Sequence, residues 1–251
     1  MLKSAGINTA NIAAASAPST PSLVTKLASG AIPFVIAPTG TMANNGAITL
    51  GTALPTTYAN CYLNLPASAI QAGSAAGWYY AQMSSTTVGQ VFNNTYSSGV
   101  PSIPASPTAF VSTGPGAYTG VTTQQSGPQI SIPAGLLGAN GSIRTTSLWS
   151  VLNNANAKTI TVAIASVNIL SASAASVGCI QVQSKIENRG VQNLNVSFPS
   201  ANQTGLGTAS GNANSTSIDF SAATTLSIAG TLGVATDFMV MESFLIEVMP
   251  G

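Results

Sequence analysis

The sequence predicts an all-β protein, built as antiparallel β-sandwich domains of jelly-roll type with an extended N-terminal arm. Two observations carry this prediction. Apolar residues recur at intervals of two along short runs, which is the period of a strand with one buried face. Gly, Pro and Asn separate these runs, and about eight strands at this spacing suit a sandwich. Helical spacing of apolar residues is almost absent.

Composition divides the chain of 251 residues into three regions. Residues 1–30 are rich in Ala, Ser, Thr and Asn and cannot close a core, so we expect them to form the arm and to order on neighbouring copies or a larger particle. Residues 31–125 hold no charged side chain and predict a β-rich domain. Residues 126–251 show the sharpest alternation and predict the C-terminal sandwich. A Pro- and Gly-rich stretch at 100–127 separates the two domains.

In the first domain, apolar runs that end at turn residues predict three short strands. They cover residues 32–37, 47–50 and 62–65. Aromatic residues and Met83 then precede a polar turn at 84–87, and Val88, Val91 and Phe92 follow it. This order predicts an aromatic-rich hairpin.

In the second domain, Asn140 and Gly141 form the favoured hairpin dipeptide, and the strand after them predicts one face that carries Ile143, Trp149 and Val151. Residues 153–157 predict the next turn. Further apolar sets predict the following strands: Ile160, Val162 and Ile164; Ile180, Val182 and Ile186; Leu194, Val196 and Phe198; Ile218 and Phe220; Leu226 and Ile228.

The last strand, residues 238–249, is apolar on both faces apart from Glu242, Ser243 and Glu247. Such a strand is expected in the centre of a sheet or against another subunit. The residues predicted to fill the core and the subunit contact are Trp149, Phe238, Val240, Phe244 and Ile246.

The charge pattern excludes several classes of function. Charged residues are 4% of the chain and the net charge is +1, so the sequence lacks the basic stripe that nucleic acid requires. No apolar run is long enough for a membrane-spanning helix, and the first residues do not resemble a signal peptide. A surface with so little charge tends to self-associate.

The residues that could carry catalysis are few. Histidine is absent, and five carboxylates remain: Glu187, Asp219, Asp237, Glu242 and Glu247. Glu242 and Glu247 are an odd number of positions apart, so on a regular strand they point to opposite faces. A carboxylate paired with Arg144 or Arg189 is a simpler interpretation than a catalytic pair across two strands. Cys61 and Cys179 have no imidazole partner and suit buried thiols, free or joined in one bridge. We therefore expect no enzyme, no cofactor and no metal site.

One cluster is a candidate ligand contact. Trp78, Tyr79 and Tyr80 could stack on a sugar ring, with hydrogen bonds from Asn93, Asn94 and Tyr96. Core packing of the three rings and a simple turn at the amides are the alternative interpretation.

Several segments resemble those of tailed-bacteriophage virion proteins, namely head-fibre, capsid-decoration and tail-fibre-like proteins. They read GPQISIPAG at 127–135, GANGSIR at 138–144, LWS at 148–150 and NNANAKT at 153–159. GWYY at 77–80, SSTT at 84–87, NNTY at 93–96 and ESFLIEV at 242–248 look similar to them too. The resemblance implies a homotrimer of β-sandwiches in the virion and carries over no active site.

The expected function is therefore that of a capsid-decoration or head-fibre protein, assembled in the bacterial cytoplasm and attached to the particle through the arm. A tail-fibre or receptor-binding module that recognises a host glycan or surface protein is the alternative, and copy number per particle separates the two. A polysaccharide depolymerase is a third hypothesis, which predicts the release of reducing ends from host capsule.

Overall fold

The computed structural model describes residues 24–36, 38–66, 76–95, 103, 105–110, 116–198, 203–205, 208–209 and 211–251. Side chains at 93–95, 203–205 and 208–209 lie outside this description. The described residues form β-strands and no helix, and almost all of the strand pairs are antiparallel. The prediction of an all-β, mostly antiparallel fold is confirmed at this level.

The strands vary from two to eleven residues in length. In chain order they are β1 (Thr25–Gly30), β2 (Phe34–Ile36), β3 (Gly40–Met42), β4 (Ala47–Leu50), β5 (Cys61–Leu65), β6 (Gly77–Met83), β7 (Val88–Thr95), β8 (Gly116–Tyr118), β9 (Gln125–Ile132), β10 (Ser142–Val151), β11 (Lys158–Ile164), β12 (Val167–Ala174), β13 (Cys179–Asn188), β14 (Asn195–Ser197), β15 (Gln203–Gly205), β16 (Thr208–Ala209), β17 (Asn214–Thr216), β18 (Thr224–Leu232) and β19 (Met239–Met249).

Thirteen of these strands form one large sheet. Its order is β17-β14-β13-β10-β19-β2-β5-β6-β7-β4-β3-β8, and β1 also pairs with β19. Strand β19 lies inside this sheet, with β10 along one side and both β1 and β2 along the other. The last strand thus lies centrally in a sheet, as its sequence predicted: residues 239–241 are buried in succession, and beyond Glu242 buried and half-buried side chains alternate.

A smaller sheet, in the order β12-β11-β18-β9, faces part of the large sheet. The main core lies between them and joins Ile143, Trp149 and Ile246 of the large sheet to Ile160 and Ile228 of the small one. The chain crosses repeatedly between the two sheets, because β10 belongs to the large sheet, β11 and β12 to the small sheet, and β13 to the large sheet again. The result is a sandwich-like arrangement around one apolar layer.

A second core covers the opposite face of the large sheet near β2, β5 and β6. It contains Val35, Leu63, Tyr79 and Val240, whereas the neighbouring Phe34 belongs to the main core. These strands are buried on both faces, which explains their continuous apolar runs. The regions predicted as separate domains, 31–125 and 126–251, therefore share one sheet, joined where β2 pairs with β19.

Two predicted turns have a different role in the structure. Asn140 and Gly141 do not close a hairpin, because β9 and β10 lie in different sheets. The segment 137–141 instead forms backbone hydrogen bonds with Gly251: Gly251 N donates to Leu137 O at 2.9 Å, and Asn140 N donates to Gly251 O at 3.1 Å. A Cβ built on Gly141 would lie 1.9 Å from Leu137 O, so only glycine fits there. The turn predicted at 153–157 also connects strands of different sheets.

Two other predictions need correction. The set predicted to face inward from β14 is wrong, because Asn195 and Ser197 are buried there while Leu194 is 47% exposed. The buried amide of Asn195 is satisfied by hydrogen bonds: Nδ2 donates to Asn188 Oδ1, and Oδ1 accepts from Thr216 Oγ1 and from the backbone N of Ile218. The predicted arm, 1–30, ends in a paired strand, β1, and residues 1–23 lie outside the described residues.

Candidate functional site

The aromatic residues predicted as a ligand platform are buried. Trp78, Tyr79 and Tyr80 are 8%, 3% and 2% exposed. Trp78 packs edge-on against Phe34 and donates from Nε1 to Ser126 O at 2.6 Å, so its polar atom is satisfied inside the protein. The rings therefore form no exposed stacking surface in this chain, and the core interpretation applies. Burial also raises the pKa of Tyr79.

The polar partners proposed for that platform cannot be placed. Asn93 and Asn94 lie in β7, but their side chains are outside the described residues, as is the whole of Tyr96. Strand β7 pairs with β6, which carries the three rings, and Thr95 lies opposite Tyr79.

The residues predicted for the core and the subunit contact are buried within one chain. Trp149 is 2% exposed and donates from Nε1 to Ser147 Oγ at 2.9 Å. Phe238, Val240, Phe244 and Ile246 are between 0% and 4% exposed without any second copy. They cannot contact a neighbouring subunit directly, so a subunit interface on β19 must use the outward-facing side chains.

Residue Glu242 forms a β-bulge in β19. Strand β10 pairs Leu148 with Ser243 and then Trp149 with Met241, which leaves Glu242 as an extra residue. The bulge reverses the alternation, so that Met241 and Phe244 both face the main core. The parity argument that placed Glu242 and Glu247 on opposite faces is therefore wrong.

Both glutamates lie on the face turned away from the main core. Glu242 accepts a hydrogen bond from Tyr58 Oη at 2.6 Å, and burial together with this bond raises the pKa of Tyr58. Because Glu242 is the extra residue of the bulge, Glu247 lies four to five strand steps further along β19, about 13 to 16 Å at roughly 3.3 Å per residue. This separation exceeds the span of about 5 to 9.5 Å between the carboxylates of a glycosidase.

Each carboxylate of the chain has a partner that accounts for it structurally. Arg144 donates to Glu247 Oε2 from Nε at 2.8 Å and from Nη2 at 2.6 Å, as the simpler interpretation predicted. Lys185 pairs with Glu187 at 2.6 Å on the surface. Asp219 accepts from the backbone and hydroxyl of Ser221, and these hydrogen bonds lower the pKa of Asp219. Asp237 pairs with the buried Lys158.

The surface charges are concentrated in one row across four neighbouring strands. On β1, β19, β10 and β13 the register places Lys26 beside Glu247, Glu247 beside Arg144 and Arg144 beside Lys185. Glu187 lies two residues from Lys185 on the same face. We call these five residues the charged row. The whole chain has six basic and five acidic residues, so this face holds nearly half of its charge.

The same sheet face carries a small apolar centre. Leu148 is 38% exposed and pairs with Ser243, and Leu245 pairs with Thr146. Around them the outward side chains are hydroxyls and amides, including those of Ser150, Gln181 and Gln183. We call this surface, together with the charged row, the outer face. An apolar centre with a polar rim is the usual anatomy of a protein contact.

An open groove of about 470 Å³ lies at the turn of the β6–β7 hairpin. Its lining is uncharged and consists of Ala59, Gln82, Met83, Ser84, Gly89 and Gln90. Gln90 Nε2 donates to Asn45 O at 2.5 Å, and Gln82 Nε2 donates to Tyr80 Oη at 3.3 Å. We call it the hairpin groove. Amide side chains of this kind can exchange hydrogen bonds with sugar hydroxyls.

The two cysteines lie in different environments, and both are free thiols. Cys61 is fully buried in β5, and burial raises its pKa to about 12. Cys179 is exposed at the start of β13, which corrects the prediction of a buried environment. In the described ranges, no cluster of three or more His, Cys, Asp or Glu could hold a metal ion. Nor does the described part of the chain contain a helix of the length and apolarity that crossing a bilayer requires.

The segment NNANAKT at 153–159 builds a buried polar network that sequence reasoning missed. Lys158 Nζ lies 3.1 Å from Asp237 Oδ2, and the two side chains are 1% and 2% exposed. Lys158 also donates to Asn154 Oδ1 and, at 2.9 Å, to Asn156 O. Asp237 Oδ1 accepts from Asn154 Nδ2 at 2.9 Å and from Asn156 Nδ2 at 3.2 Å. The only sequence signal was the repeated asparagine before a lysine in an otherwise charge-poor chain.

Comparisons with known proteins give no relative: no family model, no curated protein and no solved structure matches this chain.

Proposed function

We propose that the chain is a non-enzymatic structural protein of a tailed-bacteriophage particle, mounted on the capsid as a decoration or head-fibre protein. The observation that carries the proposal is the outer face. Four of its five charges pair within the chain, Arg144 with Glu247 and Lys185 with Glu187, and its remaining side chains are polar or apolar. Such a face packs against protein with little desolvation of unpaired charge, which favours a role in an assembly.

The homotrimer belongs to this proposal, with the outer face as the contact between copies. Leu148 at its centre is the natural test site, and Val167, the first residue of β12 in the small sheet, is a matched control because it is 40% exposed. By light scattering, the unaltered protein and Val167→Asp should be trimers. Leu148→Asp should dissociate, because the interface would bury an unpaired carboxylate. A monomeric unaltered protein excludes the trimer, and a trimeric Leu148→Asp excludes this face.

The segment before β1 is proposed as the anchor to the particle. Because β1 pairs with β19, the informative truncation removes residues 1–23 and keeps Thr25–Gly30. The truncated protein should fold and assemble as the full chain does, yet be missing from purified particles of the phage that encodes it. If it still decorates those particles at the normal copy number, the anchor lies elsewhere in the chain.

A tail-fibre or receptor-binding module remains the second candidate, and the hairpin groove favours it. The groove offers two amides, Gln82 and Gln90, without any charge, which suits a neutral host glycan. Glycan-array binding that is lost in Gln82→Ala and Gln90→Ala but retained in Gln183→Ala would support it. Quantitation against the major capsid subunit separates the two candidates, because decoration requires many copies and a tail fibre few.

A further inference from the structure

The buried network around Lys158 places three reactive groups in contact. The amine of Lys158 contacts the side-chain oxygen of Asn154, so it lies beside the amide carbon that bears this oxygen. The carboxylate of Asp237 touches both partners, through Oδ2 to the amine at 3.1 Å and through Oδ1 to the amide nitrogen at 2.9 Å. Asp237 thus contacts both the amine of Lys158, which is a potential nucleophile, and the amide nitrogen of Asn154, which is a potential leaving group.

We propose that Lys158 and Asn154 become joined by an isopeptide bond, formed with loss of ammonia and with Asp237 as the proton carrier. This modification site goes beyond the proposed function and does not depend on it. Its basis is the arrangement of one amine, one carboxamide and one carboxylate in a site closed to water around the lysine.

The reaction balances without an oxidant, a reductant or a further reactant. Asp237 takes a proton from the ammonium of Lys158, and the lone pair of the freed amine forms a bond to Asn154 Cγ. Asp237 gives its proton to Asn154 Nδ2, the Cγ–Nδ2 bond breaks, and ammonia leaves. The new amide nitrogen releases a second proton to Asp237, from which ammonia can remove it as ammonium. The products are a secondary amide and one ammonium ion.

The fold supplies the conditions that this reaction needs. Lys158 is the first residue of β11 in the small sheet, and Asp237 lies two residues before β19 in the large sheet, so strands of both sheets position the two groups. Holding two reacting groups in contact accelerates their reaction as much as an increase of many orders of magnitude in their concentration would. Asn154 is half-buried, which gives ammonia a way out. Attack on the face of the amide requires rotation of the terminal torsion of Asn154, which is a soft torsion.

Mass spectrometry of the purified, folded protein tests the proposal directly. The denatured chain should be lighter than its sequence by one ammonia molecule. Trypsin cuts after free lysine and arginine, so an acylated Lys158 should yield one peptide of residues 145–185 that carries the same deficit. Succinimide formation at an asparagine also releases ammonia but leaves Lys158 cleavable, so the tryptic pattern separates the two reactions.

Three variants identify the roles of the side chains. Lys158→Met and Asp237→Asn should restore the full sequence mass, while circular dichroism reports whether they fold. Asn154→Asp should still close the bond but with loss of water instead of ammonia. Folded, unaltered protein that is cleaved completely into peptides 145–158 and 159–185 of sequence mass overturns the proposal. Bond formation in Asp237→Asn overturns the role of Asp237.

Discussion

The bulge at Glu242 leads to a sharp prediction about two single deletions in β19. Removing Glu242 takes out the extra residue and leaves Phe244, Ile246 and Val248 facing the main core. Removing Leu245 keeps the bulge but shifts every later residue by one position. Ile246 and Val248 then face outward, and Glu247 faces the core. The two deletion variants have the same length, but only the deletion of Leu245 turns the residues after it to the other face of the sheet.

The two deletions are expected to lower the free energy of unfolding by clearly different amounts. Deleting Glu242 removes the hydrogen-bond partner of Tyr58, which is 6% exposed, at a cost of about 1–3 kcal/mol. Deleting Leu245 exposes two side chains whose burial contributes about 1.5–3 kcal/mol each. It also buries the carboxylate of Glu247 away from Arg144, which costs several kcal/mol more. The total reaches the whole stability of a typical protein, about 5–15 kcal/mol.

Urea denaturation followed by tryptophan fluorescence and circular dichroism measures both effects. The protein without Glu242 should unfold cooperatively at a reduced midpoint. The protein without Leu245 should be unfolded or aggregated in buffer. Equal stabilities for the two deletions, or a stable protein without Leu245, would refute the assignment of Glu242 as the extra residue.

Three further predictions concern local features. Trp149→Ala should lower the free energy of unfolding by about 3–5 kcal/mol, measured by denaturation, because it opens a large cavity in the main core; an unchanged midpoint would contradict the burial of this ring. Ala165 and Ser166 have φ values of 50° and 64° in the turn between β11 and β12, so Ala165→Asn with Ser166→Gly should stabilise the protein by about 1 kcal/mol. The melting temperature should rise, and a fall would argue against this turn. A thiol reagent should modify Cys179 in the native protein and Cys61 only after denaturation, as peptide mapping would show; native labelling of Cys61 would contradict its burial.

Much of the strand pattern follows from the sequence because it is local. The hairpin of β6 and β7, with its turn at 84–87, lies where the aromatic cluster and polar turn predicted it. The strand that carries Trp149 has the predicted inward face, since alternation along a regular strand needs no information from elsewhere. The candidate site was harder to predict. A run of aromatic residues is compatible with a core and with a ligand platform, and only burial distinguishes them.

The sequence by itself determined that the described part of this chain is all-β, that charge is scarce and that the last strand lies inside a sheet. Each of these properties depends on composition or on neighbours within a few residues. Only the tertiary structure decided which strands share a sheet, that one sheet joins both predicted domains, and that Glu242 interrupts the alternation of β19. It also brought Asp237 to Lys158 across 79 positions of the chain. Such contacts depend on pairing between distant segments of the chain. The spacing of apolar residues along the sequence does not indicate which distant strand or charged group will be the partner.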